Sequence, residues 1–535
     1  MKLTAQAIEN KKAWVEKGFT LPSFDRQEMI TKTMQSPTWV HFGAGNIFRG
    51  FPAALQQSLL EEKKANTGII VGEGFDYQII DEIYAKHDNL TLLVTLKSDG
   101  TIEKKVVGSV AAAYKCDPQF GTEWNFFKET FCKASLQMVS FTITEKGYSL
   151  KGGNGEFYPA MVADLANGPA KPSMFLSKLT ALVYERYLAG QENLALVSMD
   201  NCSHNGEKLH SAVLTIAQAW EKNGQVEKGF VAYLEHSVAF PWSMIDKITP
   251  RPDANVQKML QEDGFEDTTL VVTDKNTYIA PFVNAEECEY LVIEDSFPNG
   301  RPTLEEAGVF FTDRDTVNKV ERMKVTTCLN PLHTALAIFG CLLGYTLISE
   351  EMKDPLLNKM VHTIGYAEGM PVVVDPKILD PKQFIREVLT MRFPNPFMPD
   401  TPQRIATDTS QKLAIRFGET IKAYMADDTL DVADLKIIPL VFAGWIRYLM
   451  GIDDEGKAFT PSPDPLLGDV TPHVKALKLG DKGPFSERLK PILSDKAIFG
   501  VDLYANGMAS LVETYFAQMV SSKGAVRKTL EKYLN

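Results

Sequence analysis

Apolar and polar positions follow two rhythms in the first 300 residues. Short apolar runs of strand length alternate with stretches of three-to-four-residue spacing. Residues 38–42 (TWVHF) form one such run, and 51–62 carry helical spacing. Residues 68–71 (GIIV) read as a second strand, with a helical pattern over 77–86. Residues 90–96, 138–143 and 194–198 read as further strands, the last preceded by a helical stretch over 173–188. This alternation predicts a mostly parallel sheet covered by helices. After about residue 310 the rhythm changes. Long apolar stretches with helical spacing cover 334–347, 355–367, 382–391, 411–425, 435–450 and 507–519, parted by Pro- and Asp-rich loops at 392–402 and 460–467. The pattern therefore predicts an α/β N-terminal domain over 1–310 and a mainly α-helical C-terminal domain over 311–535. The turn NGRP at 299–302 opens the junction.

Composition narrows the partners. The 535 residues hold 56 Lys+Arg against 68 Asp+Glu, a formal net charge of −12. An acidic surface attracts neither nucleic acid nor an anionic membrane, so a small-molecule substrate is expected and neither of those partners. Small anions remain compatible, because a local basic pocket can sit inside an acidic protein. The N-terminus has no apolar core of a secretory signal, and no window reaches 18 uninterrupted apolar residues. The six cysteines form no CxxC pair and read as free thiols, so a cytoplasmic location is expected. The eight histidines include no HExxH, so no metal site is expected.

The run HFGAGNIFRG at 41–50 follows the first strand and opens a helix. Gly43 allows the tight turn and Gly45 a close backbone approach to a pyrophosphate at the helix N-terminus. Asn46 and Arg49 lie at the start of that helix, where a phosphate would be met; Arg49 equally fits a solvated helix residue. Phe48 stands where a third glycine is usual. These features make the N-terminal domain a Rossmann-like dinucleotide-binding candidate. At the end of the second strand, Glu73 is the candidate acceptor for the ribose hydroxyls, with Asp76 second. A carboxylate there repels a 2′-phosphate, so NAD is expected ahead of NADP.

The segment KVTTCLNPLH at 324–333 begins the helical domain. Asn330 has the look of an N-cap and Pro331 of a first helical residue, and His333, three residues after Asn330, can share the face of Asn330. A desolvated Lys324 can serve as a general base, Asn330 can hydrogen-bond a developing alkoxide, and His333 can orient a substrate. Taken singly, the same residues fit a cap, a core histidine and a surface lysine.

Several ordered segments resemble the polyol-specific long-chain dehydrogenase family. They are HFGAGNIFRGF at 41–51, TITEKGY at 142–148, SMDNCSHNG at 198–206, FPWSMIDKITP at 240–250 and IEDSFPNGRP at 293–302. The resemblance implies a zinc-free, NAD(P)-dependent hydride transfer at a secondary alcohol. The family's signature is a lysine, four residues, an asparagine, two residues and a histidine. Here five residues separate Lys324 from Asn330, so the linker must form a loop or bulge if Lys324 is the base.

By the same resemblance Lys324 is the base, Asn330 and Asn201 form the oxyanion-binding pair, and Asp246 contacts a substrate hydroxyl. Arg404 and Lys412 keep the family's eight-residue step between two substrate-binding cations. The cleft between the two domains is the expected site. A carboxylate held by Arg404 and Lys412 favours D-mannonate and D-fructuronate as the substrate pair. Mannitol and fructose, or altronate and tagaturonate, are the alternatives. A non-catalytic, nucleotide-binding sugar-acid sensor is the alternative of another class.

Overall fold

A computed structural model describes residues 1–535. The chain divides into two compact units, one of residues 1–96 and 101–318, the other of residues 97–100 and 319–535.

The first unit is built on six strands. They are β1 (Trp39–Phe42), β2 (Ile69–Glu73), β3 (Val110–Lys115), β4 (Met138–Phe141), β5 (Leu194–Ser198) and β6 (Val238–Ala239). All neighbours are parallel, and the order across the sheet is β3-β2-β1-β4-β5-β6. This is the order of a doubly wound dinucleotide fold, with its switch point between β1 and β4. Side chains alternate faces as a strand period of two requires. Val40, Phe42, Ile70, Val139, Phe141, Leu194 and Leu196 enter one core, against the helices Phe175–Leu188 and Asn205–Lys222. Trp39, Ile69, Val71, Met138, Ala195 and Val197 enter the other, against Asn46–Gly50 and Pro52–Glu61. Burial on both faces explains why these strands read as short continuous apolar runs.

The predicted strand over 90–96 forms as Thr91–Leu96, but outside the parallel sheet. It pairs antiparallel with Ile102–Val107 and parallel with Phe282–Glu286, in a separate four-stranded sheet. A third sheet joins Ser243–Asp246, Tyr290–Glu294 and Phe310–Thr312.

The second unit is helical. Its central helices are α1 (Asn330–Leu343), α2 (Pro355–His362), α3 (Ile437–Tyr448), α4 (Ala509–Val520) and α5 (Ala525–Leu534). Every residue of α3 is buried. The helical stretch over 314–343 is long and apolar enough to cross a bilayer, yet its apolar side chains are packed inside the protein. Several helices widen into π turns, at Lys324–Cys328, Thr363–Gly369, Val388–Arg392 and Ala414–Gly418. Such turns close i→i+5 bonds and hold one residue more than an α turn.

Candidate active site

In the first unit, β1 ends at the glycine loop. Gly43 has φ +106°, and a Cβ there would lie 2.2 Å from Thr142 O, so no other residue fits the turn. Gly43 N–H donates to Gly72 O at 3.1 Å, which ties the loop to β2. A Cβ at Gly45 would meet nothing within 4 Å, so the loop is open on the side where a pyrophosphate would approach. Phe48, in the place of the third glycine, stacks on His41 at 4.1 Å. The helix breaks at Phe51 and restarts at Pro52, so this bulky ring is accommodated rather than a close helix–strand contact. Burial pushes the His41 pKa down to about 3. The neutral ring bonds Ser140 Oγ and Thr142 Oγ1.

The other expected cofactor residues are engaged within the protein. Glu73 is buried at the end of β2 and accepts from the backbone N–H groups of Ala44 (3.0 Å), Phe75 (2.9 Å) and Asp76 (3.1 Å). Its carboxylate thus fixes the glycine loop. Burial raises its pKa, and the three N–H donors oppose that. Asp76 accepts from Thr273 Oγ1 at 2.6 Å. Arg49 turns inward and is 1% exposed. Its Nε donates to Thr91 Oγ1 at 3.0 Å and its Nη2 to Ala280 O at 2.8 Å. Asn46 Nδ2 reaches Tyr278 O at 3.4 Å, while its buried Oδ1 has no partner.

Asn201 is exposed just beyond β5. Its neighbour Asp200 accepts from Ile143 N–H and Thr144 N–H, both at 2.9 Å, and from Tyr148 O–H at 2.5 Å. Asp200 therefore joins the TITEKGY segment to the segment holding Asn201. Burial raises its pKa. Asp246 is buried at the end of its strand, opposite Tyr290.

In the second unit, Lys324 is buried and opens the π turn Lys324–Cys328. Leu329 N–H donates to Lys324 O at 3.1 Å, an i→i+5 bond. Six steps of about 100° in an all-α helix would set Lys324 and Asn330 about 240° apart, against about 140° for five steps. The wide turn holds the extra residue, so Lys324 returns to about the five-step face. The expected bulge is thus a π turn. Asn330 differs from its expected place by one position. Leu329 is the N-cap and Asn330 already lies in α1, because the π turn runs directly into the helix. Its side-chain amide caps nothing.

His333 stacks on Phe393 at 5.1 Å, and its Nε2 lies 2.9 Å from Asp400 Oδ2, off the direction of a hydrogen bond. Burial, then the charges of Arg416, Arg404, Arg392 and Lys412, push its pKa down to about 3, so the ring is neutral. Arg404 pairs with Asp400, and its side chain is 66% exposed. Lys412 Nζ donates to Ile405 O at 3.3 Å and to Thr407 O. Burial and then Arg416 lower its pKa. The fold thus gathers Asn330, His333, Arg404 and Lys412 in one unit. It adds Asp400 and Arg416, which sequence reading passed over. Arg416 was readable as one helical turn beyond Lys412.

A glycine turn at the switch point of a parallel sheet is the arrangement of a dinucleotide-binding fold. Comparison makes the class specific. Residues 37–306 match the Mannitol dehydrogenase Rossmann domain, and residues 316–520 match the Mannitol dehydrogenase C-terminal domain. The chain belongs to the mannitol dehydrogenase family, as an NAD-dependent enzyme acting on CH–OH groups. It is 55% identical to a D-mannonate oxidoreductase of Thermotoga maritima over 534 residues, 99% of each chain. It is 30% identical to a mannitol 2-dehydrogenase of Phaeosphaeria nodorum, covering 87% of this chain and 76% of that one. Among solved structures, the Pseudomonas fluorescens mannitol 2-dehydrogenase ternary complex with NAD and D-mannitol aligns with a TM-score of 0.69. The identity there is 25%, over 100% of this chain and 99% of that one.

Proposed function

We propose that the enzyme interconverts D-mannonate and D-fructuronate with NAD(H). The observation that carries this reading is the concentration of Arg404, Lys412 and Arg416 about His333, which suits an anionic sugar acid better than a neutral polyol. The full-length similarity to a D-mannonate oxidoreductase supports it. NAD(H), when bound, would supply the hydride acceptor in oxidation and the hydride donor in reduction. Lys324 takes the hydroxyl proton in oxidation and returns it in reduction. Asn330, whose amide caps no helix end, donates to the developing oxyanion, and resemblance assigns Asn201 the second amide. Aimed donors of this kind are worth about 3 kcal/mol each. Asp246 receives a substrate hydroxyl. The neutral His333 orients another without competing for the proton. Gly43, Gly45 and Asn46 receive the dinucleotide phosphates. The inward Arg49 and the committed Glu73 act by shaping the loop. Six free cysteines support a cytoplasmic setting. The test is NADH oxidation with D-fructuronate, D-tagaturonate and D-fructose. Fructuronate should be reduced with the highest kcat/KM, and a preference for fructose would move the assignment to mannitol.

A further inference from the structure

The cations near His333 are not equivalent. Arg404 is engaged by Asp400 and stands largely in solvent. Lys412 is turned onto two backbone carbonyls. Arg416 differs from both. It lies in the π turn Ala414–Gly418, and its Nη1 donates to Thr334 Oγ1 and reaches Asn330 O at 3.5 Å. These contacts hold the guanidinium beside the first turn of α1, the turn that carries Asn330 and His333. No carboxylate pairs with it, and its Nε and Nη2 make no hydrogen bond within the chain. Burial pushes its pKa down to about 10. A half-buried cation without a counter-ion is unfavourable until an anion joins it.

We propose that Arg416 binds the carboxylate of the substrate and thereby sets the preference for a sugar acid over a neutral ketose. The planar guanidinium offers two parallel N–H donors, which match the two oxygens of a carboxylate. Its free Nε and Nη2 are the donors left for that fork. This inference rests on the sugar-acid reading above. A purely structural role, holding Asn330 in place, would affect acid and neutral substrates alike.

The experiment measures kcat/KM for NADH-dependent reduction of D-fructuronate and D-fructose by the wild type, Arg416→Gln, Arg416→Lys and Arg404→Gln. The fructuronate-to-fructose ratio should fall about 30- to 100-fold in Arg416→Gln, the loss expected of charge-assisted hydrogen bonds, and mostly through KM. It should fall less in Arg416→Lys, which keeps charge but loses the fork. An unchanged ratio in Arg416→Gln, or a larger fall in Arg404→Gln, overturns the assignment. If Arg416→Gln does not fold by circular dichroism, Arg416→Lys decides, and an unaltered ratio there overturns it equally. A wild type that reduces fructuronate while the Arg416 variants keep its preference refutes the anchor alone. A wild type that neither reduces fructuronate nor binds D-gluconate by calorimetry refutes the sugar-acid reading and the anchor with it.

Discussion

The π turn at Lys324–Cys328 makes a prediction opposite to that of ordinary helix engineering. Val325 is the one residue of the turn that is not buried, so its removal disturbs packing least. Deleting it should close the i→i+5 bond from Leu329 into an α bond and leave Lys324 on about the same face. Inserting one alanine after Val325 should instead advance Lys324 by a residue step relative to α1, about 3.8 Å and about 100° around the axis. A general base must come within about 3 Å of its proton. The inserted variant should therefore lose about 10²- to 10⁴-fold in kcat, the range a positioned base supplies. The deletion variant should stay within about tenfold of wild type, because a misplacement of about 1 Å already costs about 100-fold. Single-turnover NADH oxidation separates these effects from product release, with circular dichroism confirming the fold. Equal losses in both variants, or wild-type turnover in the inserted one, would refute the claim that the wide turn exists to aim Lys324.

Other consequences follow from the same geometry. Gly43→Ala places a Cβ 2.2 Å from Thr142 O at φ +106°, and should weaken NADH binding at least about tenfold in a fluorescence titration. Arg49→Met should lower the denaturation free energy by about 2–4 kcal/mol, because Ala280 O loses its donor. The NADH Kd should move far less, and the converse result would return Arg49 to direct phosphate contact. Glu351 is fully buried with both oxygens unpartnered, and burial pushes its pKa up to about 9 from 4.5. Its folded pKa exceeds its unfolded one, so its contribution is complete below pH 4.5 and is lost as pH rises towards 9. At about 1.4 kcal/mol per unit the loss reaches at most about 6 kcal/mol. Glu351→Gln should flatten that slope in urea denaturation at pH 5 and pH 8.5, and an unchanged slope would contradict the burial argument.

The parallel sheet was legible because its strands are buried on both faces and read as uninterrupted apolar runs. The glycine loop was legible because it must follow such a strand. Ile102–Val107 escaped notice because its charged positions Glu103, Lys104 and Lys105 break any apolar run, and so the partner of Thr91–Leu96 was missing. Phe19–Thr20 and Val238–Ala239 are too short to carry a period. In the second unit apolar spacing marked the helices, but helical periodicity does not distinguish an α turn from a π turn. The departure at Lys324 was visible as one surplus residue, while its resolution needed the backbone. Glu73 and Arg49 were singled out for cofactor contact because both are charged and stand beside the phosphate turn. Their inward bonds depend on Ala44 and Ala280, and local sequence does not show the latter. Arg416 was hidden because an arginine on a helix ordinarily faces water, and only three-dimensional packing leaves it half-buried without a carboxylate.

In the mechanism proposed above, Lys324 performs proton transfer in the oxidoreduction of a sugar acid. Stopped-flow absorbance of NADH with D-fructuronate, in wild type and Lys324→Ala, tests it most directly. The wild type should oxidise NADH rapidly and the variant should lose about 10²- to 10⁴-fold, with NADH binding retained. Turnover in Lys324→Ala equal to wild type would contradict the assignment.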